Sequence, residues 1–452
     1  MEKNELFERM RPGKALAIMA LPTVASQLII LIYNLADTWF IGRTNNSYMI
    51  AASSLGLSIY LAATALSNVF GVGGGSLMVR LLGHKEEDDA RKVAAYSVGM
   101  ATISGVVFCI LVLIFLEPLL KLLGASDNTL PYAKEYVFAT TVLGGVPTIL
   151  SMCMPQLLRN SGYAKEAGIG VGLGSLLNVV LDPLFMFVIL PEGKEVLGAG
   201  IATMLSGICS FVYFIVIFRK LKDRTVLVLP RKPVRIRKDH LKSLYMVGVP
   251  AAISIFLFDL VTIVFNKLTA DYGDIPLAGM GIVLKLERIP INTGLGVCLG
   301  MVPLIAYNYG AGNVERMKKF FSLARTVILA FSVLCVALFW IFADPIVGAF
   351  IKEEATVASG VEILQARCFS LPFMMIGYHI VNYMNAVNKG VVSFILAIIR
   401  HVILIIPITL IMNAIWGWQG LIWSQLVADV LNVAVSVIIY KKNSVKMNTG
   451  DI

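Results

Sequence analysis

Two aspartates stand inside stretches of sequence that are otherwise apolar enough to cross a membrane. Asp37 lies within residues 28–41, and Asp182 lies within residues 176–187. An ionisable side chain at bilayer depth is costly, and it usually has a partner, a water-filled cavity or a function. These two acids, in two segments of one half of the chain, therefore indicate where the chemistry of this protein lies.

Further polar residues share the helical face of the first aspartate. Helical spacing aligns four side chains of this segment: Thr23, Gln27, Asn34 and Asp37. Pro22 begins the face and removes a backbone hydrogen bond, so the sequence predicts a bend there. Gln27 and Asn34 are explained equally well as polar residues that join helices in the membrane, or as part of a cavity.

The second aspartate has polar neighbours of the same kind. Asn178 and Asp182 are one helical turn apart, and Thr203 lies at a similar depth in the next apolar segment. Two carboxylates, an amide oxygen and a hydroxyl suit a hard cation such as Na⁺, or a shared proton. The sequence therefore predicts a cation-coupling site, with Na⁺ and H⁺ both open, at Asp37, Asn178, Asp182 and Thr203.

Composition places the chain among polytopic membrane proteins. Of its 452 residues 58% are hydrophobic and 15% are charged, with a mean hydropathy of +0.81, whereas soluble domains carry about 25% charged residues. The net charge of +10 comes from Lys and Arg clustered between apolar runs, which favours membrane topology over nucleic-acid binding. The cysteines and histidines show no metal-ligand spacing and no catalytic set is visible, so we expect neither an enzyme nor a bound cofactor.

The fold class predicted from these runs is an all-α membrane protein with twelve transmembrane helices. Each run can span about 30 Å of hydrocarbon, and helices are the remaining choice because no alternating barrel pattern is present. The predicted spans are 15–42, 48–76, 93–116, 132–155, 166–190, 197–219, 243–269, 276–306, 320–343, 361–386, 391–413 and 419–440.

The twelve spans form two pseudo-symmetric lobes of six helices. Pro22 corresponds to Pro250 in the second half, and Glu117-Pro118 corresponds to Asp344-Pro345. We predict an N-terminal lobe at 1–219, a basic cytoplasmic linker at 220–242 and a C-terminal lobe at 243–452. Parallel repeats of this kind typically carry a site at their interface and work by alternating access.

The distribution of Lys and Arg predicts the orientation. Positive residues concentrate at the amino terminus, in the even-numbered loops and at the carboxyl terminus, and the largest cluster is in the linker. Because positive loops stay in the cytoplasm, we expect both termini of this multi-pass protein to be cytoplasmic.

The second half carries a different set of mid-span charges. The acids of the first lobe have no counterparts there, and the charged residues are instead Asp259, Glu287, Arg400 and Asp429. Arg400 needs a partner, for which Glu287 and Asp259 are candidates. A structural ion pair and a pocket for a cationic substrate are both open. Aromatic side chains such as Tyr33 either stack on a flat cation or simply pack.

Several motifs together resemble the multidrug and toxic compound extrusion (MATE) family. They are Leu21-Pro22, the run YNLADTWFIG at 33–42, Asn178 with Leu181-Asp182-Pro183, and the run VPLIAYNYGA at 302–311. The resemblance covers nearly the whole chain, and the details look most like the MepA-type bacterial exporters of the DinF-like branch.

The resemblance implies a secondary active exporter of the bacterial inner (cytoplasmic) membrane. Such a protein expels lipophilic, often cationic drugs in exchange for Na⁺ or H⁺, and we expect it to act as a monomer in the lipid bilayer without nucleic acid. Asp37, Asn178, Asp182 and Thr203 match the family's coupling residues, Pro22 matches its hinge, and Glu287 is carried over as a substrate contact.

The nearest alternative is a flippase of lipid-linked oligosaccharides with a related fold. That function favours a cationic cavity for pyrophosphate, whereas the first lobe offers acids. A membrane enzyme needs a catalytic set, and a purely structural role leaves two lone carboxylates at one depth unexplained.

Overall fold

The computed structural model describes residues 5–44, 46–230 and 232–444, with the side chain of Asp259 outside the described set. Helices account for all regular secondary structure in these ranges. The chain divides into two compact units. The first unit comprises the described parts of Met1–Arg9 and Ala25–Ala252, and the second those of Met10–Val24 and Ile253–Ile452.

The helices of the first half are mostly long, with short connections. In chain order they are α1 (Glu5–Glu8), α2 (Pro12–Gly42), α3 (Ser47–Gly83), α4 (Glu87–Ile114), α5 (Leu116–Leu122), α6 (Leu130–Val137), α7 (Gly145–Asn160), α8 (Ala164–Leu184) and α9 (Glu195–Leu221). Two π-helical segments interrupt this order, Phe138–Leu143 before α7 and Phe185–Ile189 after α8.

The second half repeats this arrangement. Its helices are α10 (Lys238–Ala270), α11 (Asp274–Gly310), α12 (Val314–Ile341), α13 (Ala343–Gly348), α14 (Glu354–Cys368), α15 (Leu371–Ala386), α16 (Gly390–Ile398) and α17 (Ile406–Asn443). A third π-helical segment, Ile399–Ile405, joins α16 to α17.

The twelve-span prediction is confirmed in the described residues. Nine helices there are long and apolar enough to cross a membrane, and the pair Leu130–Leu143 and Gly145–Asn160, bent by 54°, forms a tenth. Helices α14 and α15 follow one another directly and cover the predicted span 361–386. The 54-residue stretch Gly390–Asn443 supplies two, because Gly417 breaks it with φ 56° and ψ −135°, a conformation that favours glycine.

Prolines account for two of the π-helical segments. Pro183 stands just before Phe185–Ile189, and Pro407 stands just after Ile399–Ile405. A proline inside a helix has no N–H to donate and crowds the preceding turn, so the hydrogen-bond register shifts there. The first of these segments follows Asp182 and the second contains Arg400, and both residues are candidate functional residues.

Helix α3 continues past the predicted end of its span because a charged residue is satisfied there. Arg80 is 4% exposed, and its guanidinium donates to the Ser76 and Ser243 hydroxyls at 2.9 and 3.0 Å. Ser243 belongs to the first half of α10, which packs with the first unit. A hydropathy pattern misses this extension because it counts Arg80 as the end of the membrane segment.

Helices α3 and α10 approach so closely that a single methyl group does not fit between them. A Cβ on Gly248 would lie 2.1 Å from the Val69 carbonyl oxygen, a backbone atom that cannot rotate away. We expect Gly248→Ala to lower the free energy of unfolding by about 1–3 kcal/mol, the usual cost of overpacking.

Thermal unfolding of the purified protein in detergent measures this cost. Gly281→Ala is the matched control, because Gly281 also lies in a long helix and a Cβ there would have nothing within 4 Å. Equal melting temperatures for the two variants would show that the backbone contact is not tight.

Candidate cation and substrate sites

Pro22 lies inside α2 at the point where the helix passes from one unit to the other. The helix is continuous from Pro12 to Gly42. Its residues up to Val24 belong to the second unit, and its residues from Ala25 onward belong to the first. Pro22 gives the Ile18 carbonyl no backbone donor. The neighbouring Thr23 hydroxyl donates to the Met19 carbonyl of the same helix at 2.7 Å.

If Pro22 is a bend point, removing it stiffens α2. We expect Pro22→Ala to restore the helical hydrogen bond and to slow the drug export that the family resemblance implies, with little loss of drug binding. Pro12→Ala is the matched control, because Pro12 is the first residue of the same helix, where a proline removes no intrahelical bond. The prediction is tested by measuring the efflux rate and the ethidium affinity of both variants side by side. Unchanged export by Pro22→Ala would contradict a hinge at Pro22.

Helices α8 and α9 bring three of the predicted coupling residues into one hydrogen-bonded cluster. Asn178 and Asp182 are 2% and 0% exposed. The neighbours of the Asn178 amide fix its orientation: Nδ2 donates to Asp182 Oδ2 at 2.8 Å, and Oδ1 accepts from the Thr203 amide at 3.2 Å and the Thr203 hydroxyl at 3.3 Å. The amide therefore bridges the hydroxyl and the carboxylate.

Asp37 supplies the second carboxylate from α2. It lies close enough to Asp182 for their charges to interact. Its Oδ1 is buried and has no hydrogen-bond partner among the described residues. A buried carboxylate oxygen without a donor is unfavourable as an anion. A bound cation or a proton removes that penalty, so the donor set fits either coupling ion.

Tyrosines surround this pair of acids. Tyr33, Tyr60 and Tyr136 all lie within electrostatic range of Asp37. Tyr136 fits against α3 because the position opposite its ring is Gly56, where a Cβ would lie 2.4 Å from the ring carbons. Sequence analysis selected Tyr33 but not Tyr136, because one tyrosine in an ordinary helix carries no signal and the glycine opposite it is 80 residues away.

The other residues predicted on the α2 face lie in unlike surroundings. Asn34 is exposed and Gln27 is partly buried. Thr23 is fully buried. The polar face of α2 is therefore not one continuous site, and its members Asp37 and Tyr33 lie within electrostatic range of Asp182.

In the second unit two buried ion pairs replace the partners suggested by sequence. Arg400 does not pair with Glu287. Its Nε donates to Asp429 Oδ1 at 2.9 Å, and the other Asp429 oxygen accepts from Gln425 at 2.7 Å. Glu287 instead accepts two hydrogen bonds from Arg367, at 2.8 and 2.9 Å. The alternative partner, Asp259, has its side chain outside the described residues.

These pairs border a cavity that lies within the second unit. The space between its lining residues is about 530 Å³, a volume that includes open solvent. Its wall is formed by Phe258, Val261, Thr262, Phe265, Leu284, Glu287, Arg288, Ile291, Arg367, Met374, Arg400, His401, Ile405 and Gln425. Glu287 and Arg400 were predicted as cavity residues, and the structure adds Arg367.

The family model MatE matches two stretches of the chain, residues 22–184 and 250–411. This chain belongs to the MatE family. The two matched stretches fall one in each half, as expected of a duplicated unit. They include Asp37, Asn178 and Asp182 in the first half and Glu287 and Arg400 in the second.

Proteins similar to this MatE chain include bacterial exporters of the same length. It is 32% identical to the multidrug export protein MepA of Staphylococcus aureus (strain NCTC 8325 / PS 47) over 440 residues, which cover 97% of this chain and 96% of the relative. It is 29% identical to MepA of Staphylococcus saprophyticus over an alignment of the same coverage.

Solved structures share the fold. An outward-facing multidrug resistance MATE family transporter of the MOP superfamily superposes with a TM-score of 0.87 at 23% identity, covering 98% of this chain and 99% of its own. A MATE protein in the straight conformation gives 0.89 at 23% identity, with the same coverage.

Proposed function

We propose that this protein is a secondary active multidrug exporter of the bacterial cytoplasmic membrane. It exchanges lipophilic or cationic organic compounds for Na⁺ or H⁺ by alternating access. Export of drugs is supported by full-length similarity to the MepA proteins, whose name states that activity. The named relatives favour this function over the flippase alternative. The Lys/Arg-rich linker supports cytoplasmic termini.

The observation that carries the coupling proposal is the pair Asp37 and Asp182. Both side chains stand in membrane-spanning helices of one unit, and their charges interact. Asp37 Oδ1 has no donor among the described residues. A carboxylate pair in that state binds one positive charge, as a hard cation or a proton.

The proposed cycle begins when a cation enters from outside and neutralises this pair. The repulsion between the two carboxylates then falls, so α2 is free to bend at Pro22 and to displace the bound drug. After the lobes have turned inward, the cation leaves down its gradient. Asn178 acts as a positioning residue in this cycle, because it holds Asp182 from one side and Thr203 from the other.

The experiment is efflux of ethidium from preloaded proteoliposomes that contain the purified protein. A Na⁺ gradient and a pH gradient are imposed separately, with ionophore-collapsed gradients as the reference. Acceleration by one gradient supports antiport and names the coupling ion. Efflux that ignores both gradients contradicts the proposal, and transfer of lipid-linked oligosaccharide is then the activity to assay.

A further inference from the structure

We propose that the cavity of the second unit is an anion-binding site that takes an aromatic carboxylate. The proposed exporter function concerns organic cations, so this site goes beyond it, and its test does not depend on transport. The inference comes from the charges that line the cavity and from the donors that remain unused there.

The two acids described in the cavity region are both paired with arginines. Each oxygen of Glu287 accepts a hydrogen bond from Arg367, and each oxygen of Asp429 accepts one, from Arg400 and from Gln425. Glu287 and Asp429 are 3% and 0% exposed. The charge of each carboxylate is therefore already balanced by a buried arginine, which makes these two acids poor partners for a further cation.

The arginines, in contrast, are in excess. Among the described side chains, Arg288, Arg367 and Arg400 line the cavity and face two acids, Glu287 and Asp429, which leaves one positive charge. A positive charge beside apolar walls attracts a counter-ion more strongly than the same charge in bulk water.

Two guanidinium groups of the cavity wall have N–H donors without a partner among the described residues. Arg367 is 3% exposed, and its Nη1 is buried with no hydrogen-bond partner in the described structure. Arg288 is exposed, lines the same cavity, and forms no ion pair within the described set. A guanidinium binds a carboxylate through parallel N–H···O bonds, which makes arginine better suited to this task than lysine.

The aromatic side chains of the cavity wall favour an aromatic ring in the ligand. Phe258 lies under the Arg288 guanidinium at 5.9 Å, and Phe265 lies under that of Arg367 at 4.7 Å. Aromatic faces next to the two guanidinium groups favour a flat ring attached to the carboxylate.

The test is calorimetric titration of 1-naphthoate into the purified full-length protein in detergent. 1-Naphthylmethylammonium is the matched probe of opposite charge. We expect saturable binding of naphthoate and much weaker binding of the ammonium compound. Arg288→Gln should weaken naphthoate binding by roughly tenfold, the loss of one charge-assisted contact. No saturable naphthoate binding by folded wild-type protein would overturn the proposal.

Two further variants separate the site from general charge effects. Lys285→Gln removes one positive charge three residues away on α11, from an exposed side chain that does not line the cavity, so naphthoate affinity should stay unchanged. Equal weakening by Lys285→Gln and Arg288→Gln would overturn the assignment.

Glu287→Gln should change naphthoate affinity in the opposite direction to Arg288→Gln. This substitution releases Arg367 from its carboxylate partner and should tighten naphthoate binding. If Glu287 instead formed a cation site, the wild-type protein would bind the ammonium compound and the Glu287→Gln variant would not. Melting curves and gel filtration select the folded variants, and Arg288→Gln keeps the test decisive if Glu287→Gln does not fold, because Arg288 is exposed.

Discussion

Asp182→Asn should reduce gradient-driven drug export by roughly 10- to 100-fold, the range of a lost coupling free energy, while the protein stays folded. Asparagine keeps the size of the side chain and removes its charge. The cluster with Asn178 and Thr203 can persist, because an amide still accepts a hydrogen bond from Asn178 Nδ2. What disappears is the second negative charge that makes the site attract a cation.

Asp37→Asn should give the same defect for the same reason, because one carboxylate alone lacks the repulsion that drives the proposed cycle. Asp127→Asn is the control, since Asp127 is an exposed acid between α5 and α6, outside the predicted spans. The initial rate of ethidium efflux is measured for all three variants under the gradient that drives export by the wild-type protein. Wild-type export rates in Asp37→Asn and Asp182→Asn would exclude both acids from coupling.

The second large effect concerns stability. Asp429→Asn should lower the free energy of unfolding by about 3–5 kcal/mol, the usual cost of removing one partner of a buried ion pair. The Asp429 side chain is 0% exposed, and that of Arg400 is 6% exposed. Asparagine leaves the guanidinium buried without a counter-charge, although its stacking on Tyr378 at 4.7 Å remains.

Thermal unfolding of the purified protein measures this effect, with Glu315→Gln as the control. Glu315 pairs with Lys319 on the surface, where an exposed ion pair contributes little to stability. The Glu315→Gln variant should therefore melt at the same temperature as the wild-type protein. The double variant Arg400→Met/Asp429→Leu should regain most of the lost stability, because an apolar pair avoids the desolvation cost. Equal melting temperatures for Asp429→Asn and Glu315→Gln would contradict this account.

The sequence predicts the helices well because hydrocarbon thickness imposes their length. The helix ends are less predictable, since side-chain partners decide them. Arg80 extends α3 by bonding to Ser243 across 163 residues of chain, and no local pattern indicates that contact. The break at Gly417 separates two spans that a purely apolar window merges.

The clusters differ in how far sequence reasoning reaches. Asn178 and Asp182 lie one turn apart on a single helix, and Thr203 lies on the next helix along the chain, so short-range periodicity brings them close. Their role as cation ligands stays a prediction, as does the division of the chain at 220–242. Arg400 and Asp429 are 29 residues apart, on either side of the Gly417 break, and their pairing depends on a register that the sequence does not display. The Asp259 side chain lies outside the described residues, so its candidate role also stays a prediction.

The most direct test of antiport is to let the drug drive the ion. Proteoliposomes with no Na⁺ or pH gradient receive ethidium on one side, and a Na⁺- or pH-sensitive dye inside reports cation movement. For wild-type protein the account predicts cation flow opposite to the ethidium flow, and no such flow with Asp182→Asn. Ethidium transport by wild-type protein without any cation movement would contradict the central claim.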